Sequence, residues 1–428
     1  MNGFLVAAPH SGSGKTLITL GLLRALRSQG RMVGSAKAGP DYIDPAFHAA
    51  ATGHDCINLD PWAMREDLLL SLAHGVANEH DLLVVEGMMG LFDGAADGSG
   101  SAADLATLLG LPVVMAIDAS RMSWSVAALV EGFCNHRSDV NIAGVILNKV
   151  GSMRHEGMLR DALASTGVDI FGAVPAHPAL EMPSRHLGLV QAGERADLEA
   201  FITEAGTHVA RHCDLEALSI LSGRRAQPAT TAKLVPPGQR IAIARDEAFA
   251  FCYPHVAHGW REQGAEITYF SPLADKGPQE DADAVFLPGG YPELHAARIS
   301  SAAGFKSALK RAARRGAWVY GECGGYMVLG EGLVDAEGTR HPMIGLLSLE
   351  TSFQKRKLHL GYRQIKAQDF VLGPNLRGHE FHYSSATCEQ GEPLFETMDA
   401  SGKSLGKSGL RSGNTMGSYM HIIDRVKT

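Results

Sequence analysis

The stretch that decides the fold of the first half of the chain is Phe4-Leu-Val-Ala-Ala8-Pro-His-Ser-Gly-Ser-Gly-Lys-Thr16. The apolar run Phe4–Ala8 predicts a buried strand, and the amphipathic run Leu17–Arg27, which ends close to Gly30, predicts a helix. Phosphate-binding loops have this order of strand, glycine-rich loop ending in Gly-Lys-Thr, and helix. The stretch therefore predicts a nucleotide-binding domain built on a parallel α/β sheet.

The residue types in this loop suit a nucleotide phosphate. Glycines let backbone N–H groups converge on phosphate oxygens, and the N-terminus of the helix favours negative charge. The ammonium of Lys15 would pair with the β- and γ-phosphates, and the hydroxyl of Thr16 would ligate magnesium. Pro9 stands where the usual pattern has its first glycine, but an ordinary turn before a helix would not need the Lys-Thr pair. We predict that ATP and Mg²⁺ bind here through Ser11, Gly12, Ser13, Gly14, Lys15 and Thr16, with Asn148 and Lys149 beside the base.

Acidic residues follow the next strands of the predicted sheet. Asp41 and Asp44 come soon after the strand Val33–Ala36, and Glu86 ends the strand Leu82–Val85. The carboxyl ends of strands in an open α/β sheet face the ligand crevice, where carboxylates can hold magnesium. Each acid alone would more often be a solvated charge or a helix cap. Their arrangement predicts a magnesium site formed by Thr16, Asp41 and Glu86.

The second half of the chain repeats the α/β rhythm and adds a candidate nucleophile. Cys323 follows the apolar run Trp318–Tyr320 and precedes two glycines, as expected for a sharp strand-to-helix turn. A helix N-terminus lowers the pKa of a thiol, so we expect a reactive thiolate rather than an inert buried cysteine. Gly289, Gly290 and Gly324 would form an oxyanion hole, and His421 would act as the base.

These patterns divide the chain into two α/β domains. We predict an ATP-dependent domain over residues 1–222, a proline-rich polar linker over 223–239, and a second domain over 240–428. Further strands are predicted in the first domain at Val113–Ile117 and Gly144–Leu147, and in the second at Ile241–Ala244, Ile267–Phe270 and Ala284–Leu287.

Composition excludes several classes of protein. The net charge of −7 argues against a general nucleic-acid-binding protein, and charged residues interrupt every stretch that could span a membrane. The N-terminus lacks the basic segment of a signal peptide, and the six cysteines are scattered. We expect a cytoplasmic protein with small-molecule partners. The oligomeric state is open, and a homodimer is one option.

Six motifs together resemble one family, the cobyrinic or hydrogenobyrinic acid a,c-diamide synthases of cobalamin biosynthesis. They are Ala8–Thr16, Lys37–Pro45, Glu86–Gly94, Arg185–Leu189, Pro288–Glu293 and Gly321–Gly325. The resemblance covers nearly the whole chain. It implies a dethiobiotin-synthetase-like ATPase domain followed by a flavodoxin-like class I glutamine amidotransferase domain. Glutamine would then supply ammonia at Cys323, and ATP would activate the a and c acetate carboxylates of a corrinoid as acyl phosphates.

The same resemblance implies contacts to the corrinoid substrate, which carries many carboxylates. The implied residues are Lys37, Tyr42, Asp44, Arg185, His186, His379, Glu380, His382 and Tyr383. A metal site at His379 and His382 is disfavoured because residues three apart on a strand face opposite sides. Many glutamine amidotransferases have an acid two residues after the histidine, whereas His421 is followed by two isoleucines and then Asp424. Asp424 is the candidate for a third member of the triad.

Two alternatives stay open at the level of sequence. The first is a synthase that acts on nickel-sirohydrochlorin, whose motifs are nearly the same; the metal-free hydrogenobyrinic acid is favoured over the cobalt-containing ring. The second is a nucleotide-switch protein of the MinD/ParA type. Those proteins have a signature lysine where this chain has His10, and they do not need a glutaminase-like second half.

Overall fold

A computed structural model describes residues 1–180, 184–185, 188–189, 191–223 and 231–426. The chain divides into two compact units. Unit 1 comprises residues 1–62 and 66–231, and unit 2 comprises residues 63–65 and 232–428. Each unit has its own cluster of buried apolar side chains. Residues 224–230 of the predicted linker lie outside the described residues.

Unit 1 is built on a parallel sheet of seven strands in the order β3-β2-β4-β1-β5-β6-β7. Its strands are β1 (Gly3–Ala7), β2 (Val33–Ala38), β3 (Ile57–Leu59), β4 (Leu82–Glu86), β5 (Val113–Asp118), β6 (Ile142–Val150) and β7 (Asp169–Pro175). A two-stranded antiparallel pair follows, β8 (Ser184–Arg185) and β9 (Gly188–Leu189). The central strand β1 is buried along its whole length, as its continuous apolar sequence predicts.

Helices connect the strands of unit 1. They are α1 (Lys15–Ser28), α2 (Ile43–Thr52), α3 (Glu66–Glu79), α4 (Ala102–Leu109), α5 (Ser125–His136), α6 (Met153–Leu163), α7 (Leu198–His212) and α8 (Leu215–Ser219). Proline is tolerated at Pro45 because it lies in the first turn of α2, where backbone N–H groups have no partner within the helix. Ser101 begins α4 with a capping box that includes Asp104.

Unit 2 contains a ten-stranded mixed sheet in the order β11-β10-β12-β13-β22-β21-β20-β17-β18-β23. Its first half is parallel: β10 (Arg240–Ala244), β11 (Glu266–Phe270), β12 (Ala284–Leu287), β13 (Trp318–Glu322) and, further along the chain, β22 (Thr415–Ser418). The antiparallel strands are β17 (His359–Ala367), β18 (Asn375–His382), β20 (Glu392–Met398), β21 (Ser404–Ser412) and β23 (Met420–Arg425).

The remaining elements of unit 2 surround this sheet. A smaller sheet is formed by β14 (Gly332–Val334), β15 (Arg340–Pro342), β16 (Ser348–Ser352) and β19 (Ser385–Gln390). The helices are α9 (Pro254–Glu262), α10 (Ala296–Ser301), α11 (Ala303–Arg314) and α12 (Gly324–Leu329). Across the described ranges, no helix has both the length and the apolar character needed to cross a bilayer.

The predicted fold class is confirmed, and each predicted strand is present with bounds that agree to within three residues. Four strands of unit 1 were not predicted: β3, β7, β8 and β9. In unit 2 the antiparallel half of the large sheet was not predicted. Two of its strands, β17 and β21, consist mostly of exposed or partly buried residues, so they lack the apolar runs from which the parallel strands were recognised.

Candidate active sites

The first candidate site is the loop between β1 and α1. Gly14 has φ 88°, a left-handed conformation that glycine adopts without strain, and it turns the chain into the helix. Within the described part of the chain, no side chain caps α1. The N–H groups of its first turn are therefore suited to bind phosphate oxygens. Ser11, Gly12 and Ser13 lie in the same loop, as predicted.

The two side chains that begin α1 contact the end of β4 and the loop after it. The ammonium of Lys15 donates to the carbonyl oxygen of Met89. The hydroxyl of Thr16 donates to Glu86 Oε1 at 2.8 Å and lies 3.3 Å from Asp44 Oδ2. Met89 has φ 51°, and such strain in a residue other than glycine concentrates at functional sites.

A buried group of charges lies beneath this loop. Lys37 Nζ is 2.6 Å from Asp44 and 3.0 Å from Glu86, and the second oxygen of Glu86 is 2.8 Å from His48 Nε2. Burial alone would lower the pKa of Lys37, but the charges of Asp44 and Glu86 raise it. Burial alone would raise the pKa of Glu86, but Lys37 and His48 lower it. Burial would also lower the pKa of His48, yet contacts with Cys56 and Glu86 raise it to about 10. Glu86 is thus a carboxylate between two cations.

The donor set around Thr16 fits Mg²⁺, which prefers hydroxyl and carboxylate oxygens. Thr16 and Glu86 were predicted as ligands, and the structure brings Asp44 beside them. Burial and the neighbouring Asp41 raise the pKa of Asp44 to about 7. Asp41, the third predicted ligand, lies 3.9 Å from Lys37 and accepts a hydrogen bond from the N–H of Ile43.

The other residues predicted for the first site divide into three groups. Asn148 donates to the carbonyl oxygen of Ser13, and Lys149 pairs with Asp118 at 2.7 Å, so both contact or flank the loop. Tyr42 directly precedes α2. The side chain of Arg185 and the whole of His186 lie outside the described residues.

The second candidate site is the turn after β13. Cys323 has φ 48° and ψ −105°, the strained backbone expected of a nucleophile on a sharp strand-to-helix turn. Its N–H donates to the carbonyl oxygen of Ser418, and its thiol contacts the carbonyl oxygen of Phe381 at 3.7 Å. The sulfur is therefore held at the end of the parallel half of the sheet, as predicted.

His421 and the three predicted oxyanion glycines gather around this cysteine. A Cβ atom on Gly289 would lie 2.4 Å from His421 Cε1 and 3.3 Å from Cys323 Cβ. A Cβ on Gly324 would lie 3.1 Å from the nitrogen of Gly290. Only glycine leaves room for the base and the nucleophile to approach each other here.

The pKa of the nucleophile differs from the expectation. Burial, with a smaller contribution from the charge of Glu293, raises the pKa of the Cys323 thiol, and the N–H of Gly324 lowers it only partly. Burial, together with the neighbouring His379 and His382, lowers the pKa of His421 well below its usual range. Both shifts favour a neutral thiol beside a neutral imidazole in the resting site, because burial disfavours each charged form.

Two acids lie near His421 in the chain or in space: Asp424 is on the same strand, β23, and Glu322 ends β13. Glu322 Oε2 is 3.9 Å from His421 Nδ1, and Glu322 Oε1 accepts a hydrogen bond from the N–H of Ile422 at 3.1 Å. Burial raises the pKa of Glu322 to about 8. Asp424, the acid considered from sequence, instead forms a buried pair with Arg65, with atoms 2.9 and 3.2 Å apart. The structure thus places a different acid beside the histidine.

The predicted substrate residues on β18 fall on opposite faces of the strand. The ring of His379 lies 4.7 Å from that of His421, and burial lowers its pKa to about 3. His382 instead stacks on Tyr419 and bonds Glu380 at 2.9 Å. His359, Glu380 and His382 could together offer ligands to a metal ion, although Glu380 also pairs with Arg363 at 2.7 Å. Tyr383 follows β18 and packs against Phe381.

Comparisons with known proteins agree with this geometry. Residues 4–190 match the model of the CobQ/CobB/MinD/ParA nucleotide binding domain, and residues 240–426 match that of the CobB/CobQ-like glutamine amidotransferase domain. The chain is 58% identical over 427 residues to a hydrogenobyrinate a,c-diamide synthase of Rhizobium meliloti, with 99% of both chains covered. The chain belongs to the hydrogenobyrinate a,c-diamide synthase family. Proteins of the same name from Brucella abortus and Rhodobacter capsulatus are 57% and 50% identical, covering 99% and 98% of both chains.

Sequence did not predict a site role for two residues of this diamide synthase family member, His48 and Glu322. His48 lies four residues after Asp44, so both fall on one face of α2, and that spacing could have identified it. No sequence pattern indicated that Glu322 lies close to His421. It depends on β23 returning beside the end of β13, although the two residues are 99 positions apart in sequence.

Proposed function

We propose that the protein converts hydrogenobyrinic acid to its a,c-diamide, using glutamine as the nitrogen donor and ATP as the source of activation. The observation that carries the proposal is the strained Cys323 with His421 beside it at Gly289. It stands in a chain that is 58% identical over its length to a synthase of that name. We infer the substrate from the name of these relatives.

In the glutaminase half-reaction, His421 would take the proton of the Cys323 thiol as the sulfur attacks the side-chain amide carbon of glutamine. The N–H groups of the oxyanion glycines would bind the developing oxyanion. Collapse of the tetrahedral intermediate would break the C–N bond, and the proton on His421 would leave with ammonia. Water would then hydrolyse the thioester to glutamate. Because the resting pair is neutral, proton transfer would accompany the attack.

In the ATP half-reaction, an acetate carboxylate oxygen of the substrate would attack the γ-phosphorus, giving an acyl phosphate and ADP. Ammonia would attack the acyl carbon and release phosphate, leaving an amide. Lys15 and the N–H groups at the start of α1 would bind the phosphate charges. One round at position a and one at position c would complete the diamide.

Thr16, Asp44 and Glu86 are the residues we propose to hold Mg²⁺ in this half-reaction, with Asp41 next to them. When bound, the ion would neutralise charge on the phosphate oxygens. Lys37, which pairs with Asp44 and Glu86, is proposed to contact the substrate carboxylate. The other proposed substrate contacts are Tyr42, Arg185, His186, His379, Glu380, His382 and Tyr383.

The domain limits 1–222 and 240–428 remain our proposal for where the two activities reside. All six cysteines are free, and we propose a cytoplasmic reaction, where ATP and glutamine are available. A homodimer stays one option. The MinD/ParA alternative leaves the match of residues 240–426 to a glutamine amidotransferase domain without an explanation.

The test is a Cys323→Ala variant assayed with hydrogenobyrinic acid and ATP. With glutamine the variant should make no amide, and with ammonium chloride it should make the diamide as the wild type does, as followed by mass spectrometry. Equal activity of variant and wild type with glutamine would contradict the amidotransferase proposal. Cobyrinic acid and nickel-sirohydrochlorin serve as competing substrates, and preference for either would overturn the substrate assignment.

A further inference from the structure

Glu322 lies beside His421, the proposed base of the glutaminase site. Glu322 is the last residue of β13 and directly precedes the nucleophile. Its side chain is 5% exposed, and it reaches β23 with both carboxyl oxygens. Oε1 accepts the N–H of Ile422, the residue after His421, while Oε2 lies 3.9 Å from His421 Nδ1.

The carboxylate of Asp424 pairs with Arg65. Its Oδ2 accepts both the backbone N–H of Arg65 at 3.0 Å and the Nε–H at 2.9 Å, and its Oδ1 lies 3.2 Å from Nη2 of the same guanidinium. The carboxylate is fully buried, so releasing it toward His421 would separate a buried ion pair. Asp424 therefore stabilises β23 rather than orienting the imidazole.

We propose that Glu322 is the positioning residue for His421, and that it takes the role that an acid two residues after the histidine has in many glutamine amidotransferases. This inference rests on the proposed function. The carboxyl would fix the imidazole by accepting the Nδ1–H, which leaves Nε2 to accept the thiol proton. The bond to Ile422 would hold the backbone of the histidine at the same time. One strand end would thus position both the nucleophile and its base.

The distance fits a resting site. Catalytic hydrogen bonds are often long without substrate and tighten when the substrate binds. When His421 takes the thiol proton, the imidazolium places a positive charge next to the Glu322 carboxyl, and that charge favours the ionised carboxylate. The interaction is therefore stronger as the thiol proton is transferred than in the resting enzyme. This predicts an effect on kcat with glutamine and little effect on glutamine binding.

Glu322→Gln separates this role from a purely structural one. Glutamine retains one carbonyl oxygen, which can serve Ile422 or His421 but not both, because its NH₂ group donates. We expect kcat for glutamine-supported amidation to fall about 10- to 100-fold, with KM for glutamine and the ammonia-supported rate within about twofold of wild type. Glu322→Asp retains a carboxyl, and we expect it to recover part of the lost ratio of glutamine- to ammonia-supported rates.

Asp424→Asn is the matched control variant, because it tests whether Asp424 rather than Glu322 positions His421. It also exchanges a buried carboxyl for an amide near His421, and we expect it to keep the wild-type ratio of the two rates. A wild-type ratio in Glu322→Gln, or a larger loss of the ratio in Asp424→Asn, would overturn the inference. Equal impairment of Glu322→Asp and Glu322→Gln would also overturn it, since the carboxyl would then not matter. Failure of the proposed function itself is distinguishable, because the wild type would then not use glutamine.

Discussion

At the scale of single residues, the closest approach in the glutaminase site is at Gly289. A methyl group there would lie 2.4 Å from His421 Cε1, well inside van der Waals contact. Gly289→Ala must therefore displace the imidazole or the loop that carries the glycine. We predict that glutamine-supported amidation falls at least 100-fold, because general base catalysis contributes about that factor, while ammonia-supported amidation is unchanged. Steady-state rates with the two nitrogen sources give the measurement.

Gly157→Ala is the control for this substitution. Gly157 lies in α6, and a Cβ atom there would meet nothing within 4 Å. The control should show wild-type rates with both nitrogen sources. If Gly289→Ala does the same, His421 does not stand where the structure has it.

A second prediction at this scale concerns Glu293 and the reactivity of the nucleophile. Burial raises the pKa of Glu293 to about 7, and its charge is the second cause, after burial, of the raised pKa of the Cys323 thiol. Below pH 6 the Glu293 carboxyl is neutral, so wild type and Glu293→Gln should be alkylated at Cys323 at the same rate by iodoacetamide. As the pH rises through 7, Glu293 ionises and disfavours the thiolate.

The variant lacks that charge, so above pH 8 its Cys323 should be alkylated several-fold faster than in the wild type. Peptide mass mapping distinguishes Cys323 from the other five cysteines, and Cys323→Ala identifies the peptide. Identical pH profiles in wild type and Glu293→Gln would show that Glu293 does not ionise next to the thiol.

At the scale of elements, helix α1 carries the phosphate loop and packs against α7. A Cβ atom on Gly21 would lie 2.3 Å from a methyl group of Val209 and 2.8 Å from the carbonyl oxygen of Ala205. Gly21→Ala should therefore lower the free energy of unfolding by about 1–3 kcal/mol through overpacking. In an open helix the same exchange is stabilising by about 0.5–1 kcal/mol, which is the expectation for Gly157→Ala in α6.

Urea unfolding of the two variants tests this prediction, because the chemical change is the same and only the packing differs. Opposite signs of the change in unfolding free energy are expected. Two stabilised variants would mean that α1 and α7 do not approach as closely as the structure has them.

Sequence predicted the elements that are buried on both faces. The apolar runs that become β1, β4 and β12 are continuous, since helices or strands cover both sides of a parallel sheet. β3 has three residues, too few for a periodic pattern. β17 consists mostly of partly buried residues with no apolar run, and its pairing with β18 depends on tertiary contacts that no local pattern encodes.

The candidate sites follow the same rule. Lys15 and Cys323 lie in short motifs in which a few neighbouring residues determine the backbone turn. Glu322 was visible in sequence beside the nucleophile, but its partner depends on where β23 lies. Asp424 was the candidate from sequence because it is only three residues from His421. In the structure it pairs with Arg65, which is distant in sequence, and this contact removes it from the site. Long-range contacts are therefore what sequence could not supply.

At the scale of the whole molecule, the two units have separate cores, and the proposed half-reactions are separable by mutation. Cys323→Ala should abolish only the use of glutamine. Glu86→Gln should abolish amidation with both glutamine and ammonia, because the buried carboxylate contacts Thr16 at the phosphate loop, while basal hydrolysis of glutamine to glutamate persists. The measurements are amide formation with glutamine, amide formation with ammonia, and glutamate release, each on both variants. Cys323→Ala should retain only amide formation with ammonia, and Glu86→Gln should retain only glutamate release.

Glu86→Gln should also be less stable than wild type. Removing the carboxylate leaves Lys37 and His48 buried without their shared counter-ion, which costs about 3 kcal/mol by analogy with broken buried ion pairs. Urea unfolding, fitted for unit 1 and unit 2 separately if two transitions occur, would place this loss in the transition of unit 1. Persistent ammonia-supported amidation in folded Glu86→Gln would contradict the assignment of activation to this site. Loss of glutamine hydrolysis in the same variant would instead mean that the state of the phosphate site controls the glutaminase.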